Sequence, residues 1–151
     1  MKFREAVEAT SGLSEAYEAG LKALAAVDRS RITVANEGSL CGSVNLDTAL
    51  RRGARAHEHV WDYGVCHATD GYQGIHWIEV HPASDHGVTD LLDKFAWLTQ
   101  WLASDGSRLR RMTVAFIWIS SGKTTFTKTS SSARRLAQKG VRSAGRHYHI
   151  K

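Results

Sequence analysis

The chain predicts an α/β protein with a mixed central sheet flanked by helices. Two features of the pattern carry that prediction. Short apolar runs of strand length recur between Arg31 and Ile119, and segments whose apolar residues repeat at helical spacing alternate with them. Composition allows it: of 151 residues, 42% are hydrophobic and 23% charged, an ordinary balance for a globular chain able to bury a core. One domain over 1–151 is the simplest division, with a core over about 13–120 and a basic extension over 121–151.

Residues 2–10 read as a helix that Ser11-Gly12 breaks. Leu13, Ala16, Tyr17, Gly20, Leu21, Leu24 and Val27 then trace a stripe at helical spacing, with Glu15, Glu18 and Lys22 as its solvated complement. Arg31 to Ala35 reads as a strand, Asn36-Glu37-Gly38 as a turn and Leu40 to Leu46 as a second strand. Asp47 to Ala56 fits a helical turn or a loop. Val60 to Cys66 is a third strand, Ala68 to Gly74 a polar turn and Ile75 to His81 a fourth strand, which Pro82 ends because it has no N–H to donate. Val88, Leu91, Leu92, Phe95, Leu98 and Leu102 mark one face of a helix stopped by Asp105-Gly106. Met112 to Ser120 is a strongly apolar, central strand. Ser121 to Ser132 is a Ser/Thr/Lys loop, Ala133 to Lys139 a basic helix closed by Gly140, and Arg146 to Ile150 a last strand.

The charge is unevenly placed. Residues 1–50 hold five Lys/Arg against seven Asp/Glu, and residues 51–107 hold four against eight. From Arg108 to Lys151 there are eleven basic residues and no acidic one. The natural partner of such a block is a polyanion such as nucleic acid; an acidic protein surface, or the chain's own acidic half, is the alternative. Lys123, Lys128, Arg134 and Arg135 are the candidate backbone contacts. No apolar run reaches the length of a membrane span, and Met1 to Glu5 lacks the apolar core of a signal peptide, so a cytoplasmic location with Cys41 and Cys66 as reduced thiols is expected.

Chemistry gathers in the third and fourth strands. Side chains alternate along a strand, so Glu79 and His81 leave one face while Ile78 and Val80 leave the other. An acid and a base so placed, beside a second strand carrying Asp62, are what a divalent-metal site for phosphodiester chemistry needs. Two competing motifs fall short. Ser121-Gly122-Lys123-Thr124-Thr125 imitates a phosphate-binding loop, but the position that needs the first glycine is Ile117. His57 and His59 would share a strand face and could hold Zn²⁺ in a histidine-based metallohydrolase, but the helices at 13–27 and 88–103 argue against the cupin barrel, and a surface pair is the plainer reading. Trp61 and Trp77 either wall a pocket beside the acids or pack in the core. No nucleophile elbow is present and neither cysteine has a neighbouring base.

The order of elements resembles the PD-(D/E)xK nuclease core: a helix, a three-stranded meander with Asp on its second strand and Glu-x-Lys on its third, then a helix and a strand. The resemblance covers about two thirds of the chain, with Asp62 and Glu79 in the acidic positions, His81 where the family has lysine and Trp61 where it has proline. It implies a restriction-endonuclease-like fold, Asp62 and Glu79 as ligands of Mg²⁺ or Mn²⁺, and hydrolysis of nucleic acid. His81 would then serve as general base or as a ligand for a softer ion, or Lys94 on the following helix would supply the ammonium from another direction. The alternative on the same fold is a catalytically inactive protein that binds nucleic acid or another partner.

Overall fold

The apolar strands of the sequence pair in a meander that then crosses over. The computed structural model describes residues 1–51, 59–82, 85–122 and 131–151. After α1 (Phe3–Glu8), a short α2 (Ala26–Arg29) and β1 (Ile32–Val34), the meander is built from β2 (Leu40–Asn45), β3 (Tyr63–Thr69) and β4 (Tyr72–Pro82), with α3 (Leu46–Leu50) between its first two strands. β3 and β4 are joined by Asp70-Gly71, both at positive φ (52° and 79°), the backbone that a two-residue hairpin turn demands. The long helix α4 (Asp85–Leu102) and the single turn α5 (Ser107–Arg110) carry the chain to β5 (Thr113–Ser121), which lies parallel to β4. α6 (Ser131–Lys139) leads to β6 (Val141–Ser143), parallel to β5, and β7 (Tyr148–Ile150) pairs with β1 in a separate two-stranded sheet. Among the described residues the central sheet is mixed, in the order β2-β3-β4-β5-β6.

Strand alternation divides the interior into two cores. Trp77, Trp118, Cys66 and Val141 point to the face covered by α1, α4, α5 and α6, where they meet Phe3, Val7, Leu91, Leu98, Leu109 and Leu136. Val65, Ile78, Ile117 and Ile119 point to the other face and pack on Leu24, Ile32, Tyr148 and Ile150. Gly64 lies opposite Trp77, and a Cβ there would stand 2.7 Å from the indole, so the missing side chain makes room for that ring. Trp77 donates its ring N–H to Thr113 Oγ1 (2.9 Å) and meets Trp101 edge-on at 6.1 Å. Trp61 and Trp77 are fully buried, so both belong to the packing. Cys41 and Cys66 are free thiols on adjacent strands; burial, and then the neighbouring Cys41, pushes the Cys66 thiol up, away from a nucleophile's range. Among the described residues no helix is long and apolar enough to cross a membrane.

The clearest departure from the pattern is the segment 13–27, expected as a helix: residues 13–25 form a chain of turns and only the last two enter α2. Its hydrogen bonds run three residues apart (Ala16 N–H to Leu13 O, Lys22 N–H to Ala19 O, Leu24 N–H to Leu21 O), and Gly20 takes φ 55°. The cause is a competing partner: Glu18 and Ser43 exchange both backbone hydrogen bonds (3.0 and 2.9 Å), which ties the segment to the edge strand β2. The stripe still marks burial, since Leu13 enters one core and Leu24 the other, while Val27 is exposed. Other differences are of extent. Val60 to Asp62 precede β3 instead of opening it, the polar turn shrinks to two residues, and the last strand leaves the central sheet for β1. α5 and β6 were not anticipated.

The close approach of this segment rests on Gly42, at φ 132°, where a Cβ would collide with the Tyr17 ring and stand 2.9 Å from the Glu18 carbonyl. Gly42→Ala is expected to destabilise the protein by about 2 kcal/mol or more in a urea unfolding series. A change within about 0.5 kcal/mol would contradict this packing.

Candidate active site

The ladder between β3 and β4 ends at the pair Tyr63–Ile78, and one residue further on the two carboxylates take over its work. The Asp62 N–H donates to Glu79 Oε1 (3.0 Å), and the Val80 N–H donates to Asp62 Oδ2 (3.1 Å). Each acid thus accepts a backbone amide at the strand end. Glu79, in line with Trp77, points beneath α4 and is fully buried. A buried carboxylate requires a cation or equivalent hydrogen bonds.

Lys94 supplies the cation. It lies one turn from Leu91 and Leu98, which enter the core, so its stem runs along the packed side of α4. Its Nζ donates to Glu79 Oε2 at 2.7 Å and stands 3.6 Å from Asp62 Oδ1. His81 approaches from the strand end: Nδ1 is 3.6 Å from Glu79 Oε2, and Nε2 is 4.0 Å from Asp90 Oδ2. The four residues singled out in the sequence therefore converge, three of them on one carboxylate. The side chains of Asp62, His81 and Lys94 keep 19%, 18% and 15% exposure, so the group reaches solvent.

Electrostatics sets the protonation. Burial is the largest influence on Asp62 and the Glu79 charge the next; together they outweigh Lys94 and the Val80 amide and push its pKa up to about 7. Burial works against the charge of Lys94, but Glu79 and Asp62 outweigh it, and its pKa rises. Asp47 adds to both shifts. Neither Asp47 nor Asp90 was singled out in the sequence. Asp90 had a legible signal, its place one helical turn before Lys94. Asp47 had none, since it reaches the site through α3.

The donor set suits a hard cation in an open mode. Asp62 Oδ1 and Glu79 Oε2 face the same ammonium, and a divalent ion beside them would favour the charged form of Asp62 against the burial that raises its pKa. Among the described residues no three His, Cys, Asp or Glu form a group that could hold a metal, so two carboxylates with water and a phosphate would have to complete the shell.

The nucleic-acid candidates divide. Lys123 and Lys128 lie outside the described residues, as does His57. Arg134 and Arg135 are exposed on α6. That helix sets out from the end of the sheet where β4 and β5 finish, the end that carries Glu79 and His81. His59 is exposed beside Trp97 and Gln100. No family model, no curated protein and no solved structure matches the chain.

Removing one member of the ion cluster leaves the other charges buried. Lys94→Met is expected to cost about 3–5 kcal/mol in denaturant unfolding, and the double change Lys94→Met/Glu79→Gln to cost less than that single change. Additive losses would contradict the pairing. Because the folded pKa of Asp62 is raised, its stabilising contribution is fully present below pH 3.8 and is lost as pH rises through about 7. Asp62→Asn is expected to flatten that part of the stability–pH curve, and an unchanged slope would contradict the assignment.

Proposed function

We propose that the chain is a divergent nuclease-fold protein that hydrolyses phosphodiesters of nucleic acid with Mg²⁺ or Mn²⁺. The observation that carries this reading is the position of Lys94: an ammonium from α4 reaches the two carboxylates, although the strand position of the PD-(D/E)xK pattern holds His81. The sequence of elements supports it, with the three-stranded meander β2-β3-β4, then α4, then β5 parallel to β4. So do Asp62 just before the second meander strand and Glu79 on the third.

In this reading Asp62 and Glu79 hold the cation. When bound, it withdraws charge from the phosphate and acidifies a neighbouring water. Lys94 places a fixed positive charge where negative charge develops on the phosphate. His81, held between Glu79 and Asp90, accepts the proton of the attacking water through its imidazole. Arg134 and Arg135 hold the nucleic-acid backbone at the same end of the sheet.

A second reading has its own observation. The Lys94 ammonium stands between the two carboxylates, where it serves as their permanent counter-ion. The chain would then be a catalytically inactive nuclease-fold protein that binds nucleic acid through its basic third.

Cleavage of single- and double-stranded DNA and RNA, assayed with Mg²⁺ and with Mn²⁺, separates the two. The first reading expects metal-dependent cleavage that falls by about 100-fold or more in Asp62→Asn, Glu79→Gln and Lys94→Met variants that remain folded. Activity that survives Asp62→Ala and Glu79→Ala would rule it out. Salt-sensitive binding without cleavage, unaffected by those substitutions, is the outcome of the second.

A further inference from the structure

On the face of the sheet opposite Glu79 lies a cavity of about 440 Å³, between the end of β3, the start of β4 and β7. The volume is that of a small-ligand site. Its charge is one-sided: Arg142 and Lys151 line it, and no Asp or Glu does. Among the described residues Arg142 makes no ion pair. Its guanidinium donates to the Tyr148 hydroxyl (3.2 Å) and lies over that ring at 5.7 Å.

Beside the cavity His67 carries an unmatched polar atom. His67 is 6% exposed and lines the cavity; its Nδ1 is 3.4 Å from Thr69 Oγ1, and its Nε2 has no hydrogen-bond partner among the described residues. Buried polar atoms are nearly always paired, so this ring nitrogen, closed off from solvent, marks polarity beside the cavity that the protein itself leaves unmatched. His76 adds to the same polarity. The Tyr148 hydroxyl accepts from Arg142 and shares a hydrogen bond with His76 Nδ1 (2.8 Å). Burial, with His67 and Arg142 nearby, pushes His76 down to about 4, so at neutral pH it is uncharged. Two large side chains at the rim, Tyr72 and Val114, are 59% and 56% exposed, in a chain that buries most of its others.

We propose that this cavity binds the phosphate of a small organic phosphate ester, with Arg142 and Lys151 on the oxyanion and Tyr72 and Val114 against the organic part. Two cations with no Asp or Glu among the lining residues match a dianion better than a single negative charge. The site lies on the other face from Asp62 and Glu79 and is independent of the nuclease reading.

Calorimetric titration of the full chain with a nucleoside monophosphate, inorganic phosphate and the unphosphorylated nucleoside tests it, together with NMR shifts of the His67 and Tyr72 rings. The monophosphate is expected to bind tightest, inorganic phosphate more weakly, and the nucleoside about tenfold or more below the monophosphate. Arg142→Gln is expected to weaken the monophosphate by about tenfold, and so is Lys151→Glu, a change on an exposed side chain that leaves the melting temperature in place. Failure of the monophosphate and inorganic phosphate to bind would overturn the proposal. So would equal affinity for the nucleoside, equal affinity for inorganic phosphate, shifts away from the cavity, or affinity unchanged by Lys151→Glu.

Discussion

The contact on which the site depends is the Lys94 ammonium against the fully buried Glu79 carboxylate, 2.7 Å apart. Removing two charges from water is costly, and their attraction offsets that cost only when the remaining valences are filled. Here they are filled by backbone: Glu79 accepts the Asp62 amide, and Asp62 accepts the Val80 amide, where the strand ladder stops. The pair therefore fixes the depth of α4 over the sheet and the ends of β3 and β4 together. Asp62 is the less tightly held of the two carboxylates that share this ammonium, 3.6 Å from it against 2.7 Å for Glu79. Burial, and then the Glu79 charge, raises its pKa.

The two faces of β4 then have separate roles. Residues in phase with Trp77 face α4 and end in Glu79 and His81; those in phase with Ile78 face the smaller sheet and begin at His76. The acidic cluster and the cationic cavity are thus kept apart by alternation along a single strand. The basic C-terminal third reaches both: Arg134 and Arg135 lie on α6, while Arg142 and Lys151 line the cavity.

Much of the cluster was legible because its geometry is local. Alternation placed Glu79 and His81 on one face, and helical spacing placed Lys94 beside Leu91 and Leu98. The strands and α4 were readable from the length and spacing of apolar runs, while the three-stranded meander was implied by the resemblance to the PD-(D/E)xK core. What could not be read depends on partners distant in sequence. The 13–27 stripe has helical period, yet Glu18 bonds to Ser43, and that pairing overrides the periodicity. α5 and β6 are four and three residues long, too short to show a period. The parallel pairing of β1 with β7, with Thr33 opposite His149, joins segments 116 residues apart. The cavity draws His67, His76, Arg142 and Lys151 from separate elements, none of which carries a motif.

The ionisation of Asp62 is the most direct test of the central claim that Lys94, Glu79 and Asp62 form a cation-responsive site. Carbon-detected NMR of the Asp62 carboxyl over a pH titration, with and without Mg²⁺, measures it. The account predicts a midpoint at about 7 without metal, moving down when Mg²⁺ is added because a bound cation favours the carboxylate. A midpoint in the ordinary carboxylate range, unmoved by Mg²⁺ or Mn²⁺, would contradict it.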